Sequence, residues 1–170
     1  MVEWHRTVGA SQYFLRDERA AVHTELSHLL AKEPRPLVVA DLAELAEQTV
    51  SEHNGVSGVA LRTAMKAAKA VDSNIVTKAV DKMLPDILGA LNPRWAAYCE
   101  SESGSFAEFL AAQQDSTAES LLAVADSWAE QSDSPALDKI YQTVRGRGFA
   151  LLVPAIPGLG RVIEEHARCQ

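Results

Sequence analysis

Only two of the 170 residues are cysteines, Cys99 and Cys169, and the second sits beside the C-terminus. Two such thiols cannot make a disulfide framework, so a reduced, cytoplasmic setting is the simplest expectation. Aromatic residues are also sparse, at 6%. Alanine, leucine and valine must therefore fill the interior, and small side chains favour close helix packing over a thick aromatic core. No uninterrupted apolar run is longer than five residues, as at Phe149–Val153, which rules out a membrane-spanning helix by length. The first residues carry a charge or polar group every few positions, so no secretory leader is expected.

Recognisable catalytic spacings are absent as well. There is no H-x-x-x-H, no C-x-x-C, no acidic calcium loop and no G-x-S-x-G elbow. His5, His23, His28, His53 and His166 are scattered, and the five-residue step from His23 to His28 splays the two side chains on a helix. The paired acids Glu100/Glu102 and Glu164/Glu165 fall in segments expected to be exposed, with nothing to push their proton affinities apart. No catalytic residue, cofactor or metal is therefore expected.

What remains is ordinary globular material. Hydrophobic residues make up 47% and charged residues 23%, and the length suits one domain. The net charge of −7 is unevenly spread: residues 53–82 are net +3, whereas residues 83–132 hold Arg94 alone against eight carboxylates. An acidic chain repels nucleic acid unless a basic patch overrides the average, and the 53–82 patch reads best as a solvated helix face. Nucleic acid is thus not an expected partner.

Helical periodicity runs through most of the chain. Pro36 suits a first helical turn, followed by Leu37, Val38, Leu42, Leu45, Ala46 and Thr49 on one face. Asn54-Gly55 stops that helix, and Ser57 is a candidate cap for the next, with Val56, Val59, Ala60, Thr63, Ala64 and Ala67 as its apolar side. From Asp72 or Ser73 the pairs Ile75/Val76, Ala79/Val80, Met83/Leu84 and Ile87/Leu88 make a ridge that ends at Leu91, with a kink or split expected near Met83 from Pro85. Ser105 with Glu108 and Ser116 with Glu119 both fit capping boxes. Ser134-Pro135 opens a helix that Gly146 ends, and a last helix is expected from Pro157. The reading is an all-α, single-domain bundle of about seven helices over residues 22–170. Residues 1–21 lack a sustained period and read as a poorly anchored N-terminal extension.

Two local patterns invite a binding role. Residues 37–70 resemble a helix-turn-helix, with Arg62, Lys66 and Lys69 on the second helix. Its start at Gly58, Val59 and Ala60 offers no base-reaching polar groups, so a structural hairpin is the better reading. Gly146-Arg147-Gly148 and Pro157-Gly158-Leu159-Gly160-Arg161 are glycine-basic clusters of the kind that can cradle an anion, but helix termination and a tight turn explain them. Arg62, Lys66, Lys69, Arg147 and Arg161 are the only weak candidates for binding residues.

The order Arg35-Pro36-Leu37, Ala40-Asp41-Leu42, Gly55-Val56-Ser57-Gly58, Lys69, Ile75-Val76 and Met83-Leu84-Pro85, with Phe106, Leu121–Asp126 and Tyr141 further on, resembles an uncharacterised family of small actinobacterial helical proteins. The resemblance spans roughly residues 24–166. It implies one helical domain, no known activity and no catalytic residues. It also implies a start near His23, with Val22 as a candidate start codon. Function is then expected to be non-enzymatic, through a protein partner or self-association. The alternative is a small-molecule or lipid binder whose cavity would be lined by Ala64, Ala67, Val80, Met83 and Leu84.

Overall fold

Turn and capping residues divide the chain into a short 3-10 turn and seven α-helices in the computed structural model, which describes residues 25–168. Expectations about residues 1–21 lie outside the described residues. The turn spans Leu26–Leu30; the helices are α1 (Pro34–Glu52), α2 (Val56–Val71), α3 (Ile75–Cys99), α4 (Phe106–Ala111), α5 (Gln114–Gln131), α6 (Pro135–Arg145) and α7 (Gly148–Arg168). No strand occurs among the described residues. The fold is all-α, as periodicity indicated.

Several boundaries follow the local chemistry. Gly55 turns the corner between α1 and α2 with φ of 89°, a left-handed conformation that side chains with a Cβ resist. Gly55 rather than Ser57 is the N-cap of α2, and Ser57 lies inside the first turn. Ser105 caps α4 by accepting the Glu108 amide at 3.2 Å. Ser134-Pro135 opens α6 and Gly146 closes it. The box at Ser116 does not start a helix: α5 begins two residues earlier, and the Ser116 hydroxyl donates back to the Gln113 carbonyl at 3.2 Å.

Proline misled the reading of the two longest helices. α3 is not split at Pro85 and does not stop at Leu91; it runs through Pro85 and Pro93 to Cys99. A proline removes the amide that would bond the carbonyl four residues back. For Pro85 that carbonyl belongs to Asp81, and Arg35 of α1 takes it over: its guanidinium donates at 2.9 Å to the Asp81 carbonyl and at 2.7 Å to the Asp81 carboxylate. A neighbouring helix thus supplies the missing donor. Likewise α7 begins at Gly148, not Pro157, and contains both Pro154 and Pro157. The glycine-rich Pro157–Arg161 segment is helix, not a tight turn.

α7 lies at the centre and packs against the 3-10 turn, α1, α4 and α5, while α3 lies against α1 and α5. Its glycines allow this. A Cβ on Gly160 would sit 2.6 Å from the Ala107 Cα, and one on Gly158 would sit 2.7 Å from a Leu45 methyl. The core is aliphatic along most of its length, with Leu26, Leu29, Val38, Leu84, Leu91, Leu110, Ile156 and Ile163 fully buried. Four of the few aromatics nevertheless gather at one end: Trp95, Tyr98, Phe106 and Phe109, with ring centroids 4.9 to 6.4 Å apart. Glu164, expected to be exposed, is buried beneath them; its carboxylate accepts the Tyr98 hydroxyl at 2.7 Å and the Phe106 amide at 3.1 Å. It thereby satisfies a free donor at the start of α4. Arg94, alone among carboxylates in the sequence, braces α3 to α5 by donating to the Ser116 carbonyl at 2.9 Å and the Ser120 hydroxyl at 3.1 Å.

α2 and α6 form a pair at the side of the bundle. The buried face of α2 is Gly58, Leu61 and Ala68. This is the opposite of the face expected from the sequence: Val56 and Val59 are 89% and 57% exposed, and Ala60, Thr63 and Ala67 also face solvent. Leu37 of α1 is likewise 61% exposed.

Candidate functional site

Where α6 crosses from α2 toward α5, the helices do not close completely. A cavity of about 320 Å³ lies between α1, α2, α3, α5, α6 and α7. Leu42, Leu45, Ala46 and Val50 form one wall, Val80, Met83 and Ile87 a second, and Leu121, Leu122 and Ala125 a third; Leu151, Leu152, Ala155 and Leu159 of α7 complete it. Its size follows from the small residues Ala46, Ala125, Gly148 and Ala155 on facing helices. A Cβ at Gly148 would come within 2.5 Å of a Leu122 methyl, so the glycine keeps α7 close to α5 beside the cavity. Of the five residues expected to line such a space, Val80 and Met83 do so. Leu84 instead enters the sealed core, Ala67 faces solvent because α2 is rotated relative to expectation, and Ala64 is half-buried outside the lining.

Three polar side chains meet the cavity at one place. Asp126 of α5 accepts a hydrogen bond from the Tyr141 hydroxyl of α6, and Arg145, one turn along α6, pairs with the other Asp126 oxygen at 3.3 Å. Partial burial and the Asp126 carboxylate beside it push the Tyr141 hydroxyl above its ordinary range. The remaining polar lining residue, Thr49, spends its hydroxyl proton on the Leu45 carbonyl of its own helix at 2.7 Å. The site is therefore an apolar chamber with an acid, a phenol and a guanidinium at its rim. Such a layout can hold a molecule by its hydrocarbon and orient it by one polar end.

α6 closes this chamber with little burial of its own. None of its residues is fully buried, and Ala136, Leu137 and Ile140 pack on Ala43, Ala68, Ile75 and Val76. Asp126 ties its other end to α5.

The five basic candidates do not converge on the chamber. Arg62 donates to the His53 carbonyl at 2.7 Å, capping the end of α1 at the hairpin corner. Lys69 pairs with Glu47 of α1 at 2.8 Å. Lys66, Arg147 and Arg161 are exposed. Arg161 borders a second, polar groove of similar volume between α1 and α7, with Gln48, Glu52 and His53. Both charge signs line that groove, so it has no evident preference for an anion. Asp126, Tyr141 and Arg145 were not identified as site residues from sequence; only the four-residue spacing of Tyr141 and Arg145 hinted that they share a face, and their partner lies on another helix.

Among the described residues, no group of three or more His, Cys, Asp or Glu side chains is placed to hold a metal ion, and no helix is long and apolar enough to cross a membrane. The chain belongs to a family of unknown function, DUF6918, whose model matches residues 26–167. No curated protein and no solved structure matches it.

Proposed function

We propose that this member of the DUF6918 family is a non-enzymatic binder of a small apolar molecule. The chamber behind α6 carries the reading. Its volume is about twice the ~150 Å³ of an engineered apolar cavity that takes up benzene, which suits a ligand of roughly a dozen heavy atoms. Its walls are almost wholly aliphatic, with polar groups confined to the rim, as in small-molecule sites generally. The test is displacement of the neutral fluorophore 1-aminoanthracene, compared between the native chain and Ala125→Trp, whose indole would fill the chamber. Saturable binding by the native chain and its loss in a folded Ala125→Trp support the reading. No binding, or equal binding by both proteins, sinks it.

A protein partner or self-association is the second reading, favoured by the outer face of α2. Val56, Val59 and Val71 are 89%, 57% and 80% exposed there, a stripe more apolar than a helix surface requires. Sedimentation of the native chain against a Val56→Ser/Val59→Ser double variant tests it; identical monomeric behaviour with no co-purifying protein counts against it. Nucleic-acid binding by the 37–70 hairpin is disfavoured, since Arg62 and Lys69 are both engaged within the fold. A cytoplasmic location and an actinobacterial origin fit the cysteine usage and the sequence resemblance respectively.

A further inference from the structure

The charge balance at the rim narrows the ligand class, given that the chamber is a binding site. Arg145 is the cation paired there, and Asp126 already neutralises it at 3.3 Å. Glu130, one turn along α5 from Asp126, adds a second negative charge on the same helix face, and its charge, after that of Asp126, favours the protonated Tyr141 phenol. We propose that the chamber selects an uncharged apolar molecule with a terminal hydroxyl, and discriminates against the corresponding carboxylate.

The reasoning concerns which hydrogen bonds each head group can make. A hydroxyl at the rim donates to a free lone pair of Asp126, since a carboxylate has about four acceptor positions and Tyr141 and Arg145 use two. Its oxygen can also accept one of the remaining Arg145 donors, leaving the existing contacts intact. A ligand carboxylate cannot donate. It can accept one of the remaining Arg145 donors, but it then lies beside the Asp126 carboxylate with no proton to offer it. Like charges brought together at a partly buried rim repel more strongly than in bulk water. Elsewhere on the lining there is no relief, because Thr49, the one other polar lining residue among the described residues, has its proton committed to the Leu45 carbonyl. An unpaired polar head would therefore lose its hydration for nothing.

The probes are 1-decanol and decanoate, each titrated at neutral pH as competitors of 1-aminoanthracene. The alcohol is expected to bind at least about tenfold tighter than the carboxylate. Asp126→Asn, which keeps the shape but frees the charge of Arg145, should shift the alcohol-to-carboxylate ratio at least about tenfold toward decanoate. If Asp126→Asn fails to fold, Glu130→Gln, at an exposed position, must move the ratio in the same direction. Decanoate binding as well as decanol, with both lost in Ala125→Trp, overturns the selectivity and leaves the chamber a binding site. An unchanged ratio in the folded variants also overturns it. Failure of every probe on the native chain overturns the chamber and this inference together.

Discussion

Replacing Gly160 by alanine should destabilise the protein even though glycine is the poorer helix former. In a helix interior that substitution ordinarily gains about 1 kcal/mol. At Gly160 the new Cβ would lie 2.6 Å from the Ala107 Cα, 2.9 Å from the Ala107 nitrogen and 3.2 Å from the Phe106 carbonyl carbon. All three are backbone atoms, so no rotamer change relieves the overlap. α4 must withdraw from α7 by most of an ångström, loosening Phe106 and Leu110, both fully buried. Overpacking that forces backbone shifts costs typically about 1–3 kcal/mol. After the propensity gain of about 1 kcal/mol a net loss of up to about 2 kcal/mol remains, toward the upper end because only backbone can yield. The chain carries its own control: Gly89 lies on the exposed face of α3 with nothing within 4 Å of a Cβ. Gly89→Ala should therefore stabilise by about 0.5–1 kcal/mol. Urea unfolding followed by helical circular dichroism measures both variants, with unchanged slope confirming that only stability moved. A Gly160→Ala protein as stable as the parent, or shifted in the same direction as Gly89→Ala, would refute the close approach of α4 and α7.

Three further expectations follow from individual contacts. If Arg35 replaces the amide missing at Pro85, Pro85→Ala should stabilise more in an Arg35→Ala background than in the parent; equal gains in a double-mutant cycle would show the two to be independent. Glu164→Ala should cost about 2–4 kcal/mol by leaving the Phe106 amide and the Tyr98 hydroxyl without this acceptor, whereas Glu164→Gln keeps an acceptor oxygen and should cost less; equal losses in thermal unfolding would contradict the capping role. Tyr141 gives a pH dependence whose sign is fixed. Its hydroxyl is held above the ordinary value of 10.0, so the folded state favours the protonated phenol; that contribution is present in full below pH 10.0 and is lost as pH rises through the folded value. Alkaline stability profiles of the parent and Tyr141→Phe should diverge there, and superimposable profiles would remove the Asp126 contact from the account.

The helices were legible because helical periodicity, the Ser105 cap and Ser134-Pro135 are local signals. The prolines misled for a non-local reason. Pro85 reads as a break until Arg35, fifty residues earlier in sequence, is known to satisfy the Asp81 carbonyl. Pro157-Gly158-Leu159-Gly160 reads as a turn until the helices that need those glycines, α1 and α4, are in place. The chamber was half visible: Val80 and Met83 were named, but the rim joins Asp126 of α5 to Tyr141 and Arg145 of α6, and no spacing within one helix reveals a pair across two.

The inverted face of α2 shows most clearly where periodicity stops. Val56, Val59, Ala60, Thr63 and Ala67 repeat with the same three-four rhythm as Gly58, Leu61, Met65 and Ala68, and both sets are small or aliphatic. A helix apolar on two faces has no preferred side until something else sets its rotation. Here the corner sets it. Gly55 takes its left-handed turn, Arg62 reaches back to the His53 carbonyl, and Gly58 comes so close that a Cβ would lie 1.9 Å from that same oxygen. Those three constraints turn Leu61 and Ala68 inward and leave Val56 and Val59 in solvent. Because Leu61 lines the chamber, the same rotation connects the two readings of function. A partner that docked on the valine stripe and turned α2 would displace a chamber wall. Binding of 1-aminoanthracene should therefore weaken whenever the corner is broken, as in Arg62→Ala, although Arg62 itself does not line the chamber. Undiminished dye binding by a folded Arg62→Ala would show that the rotation of α2 is set elsewhere.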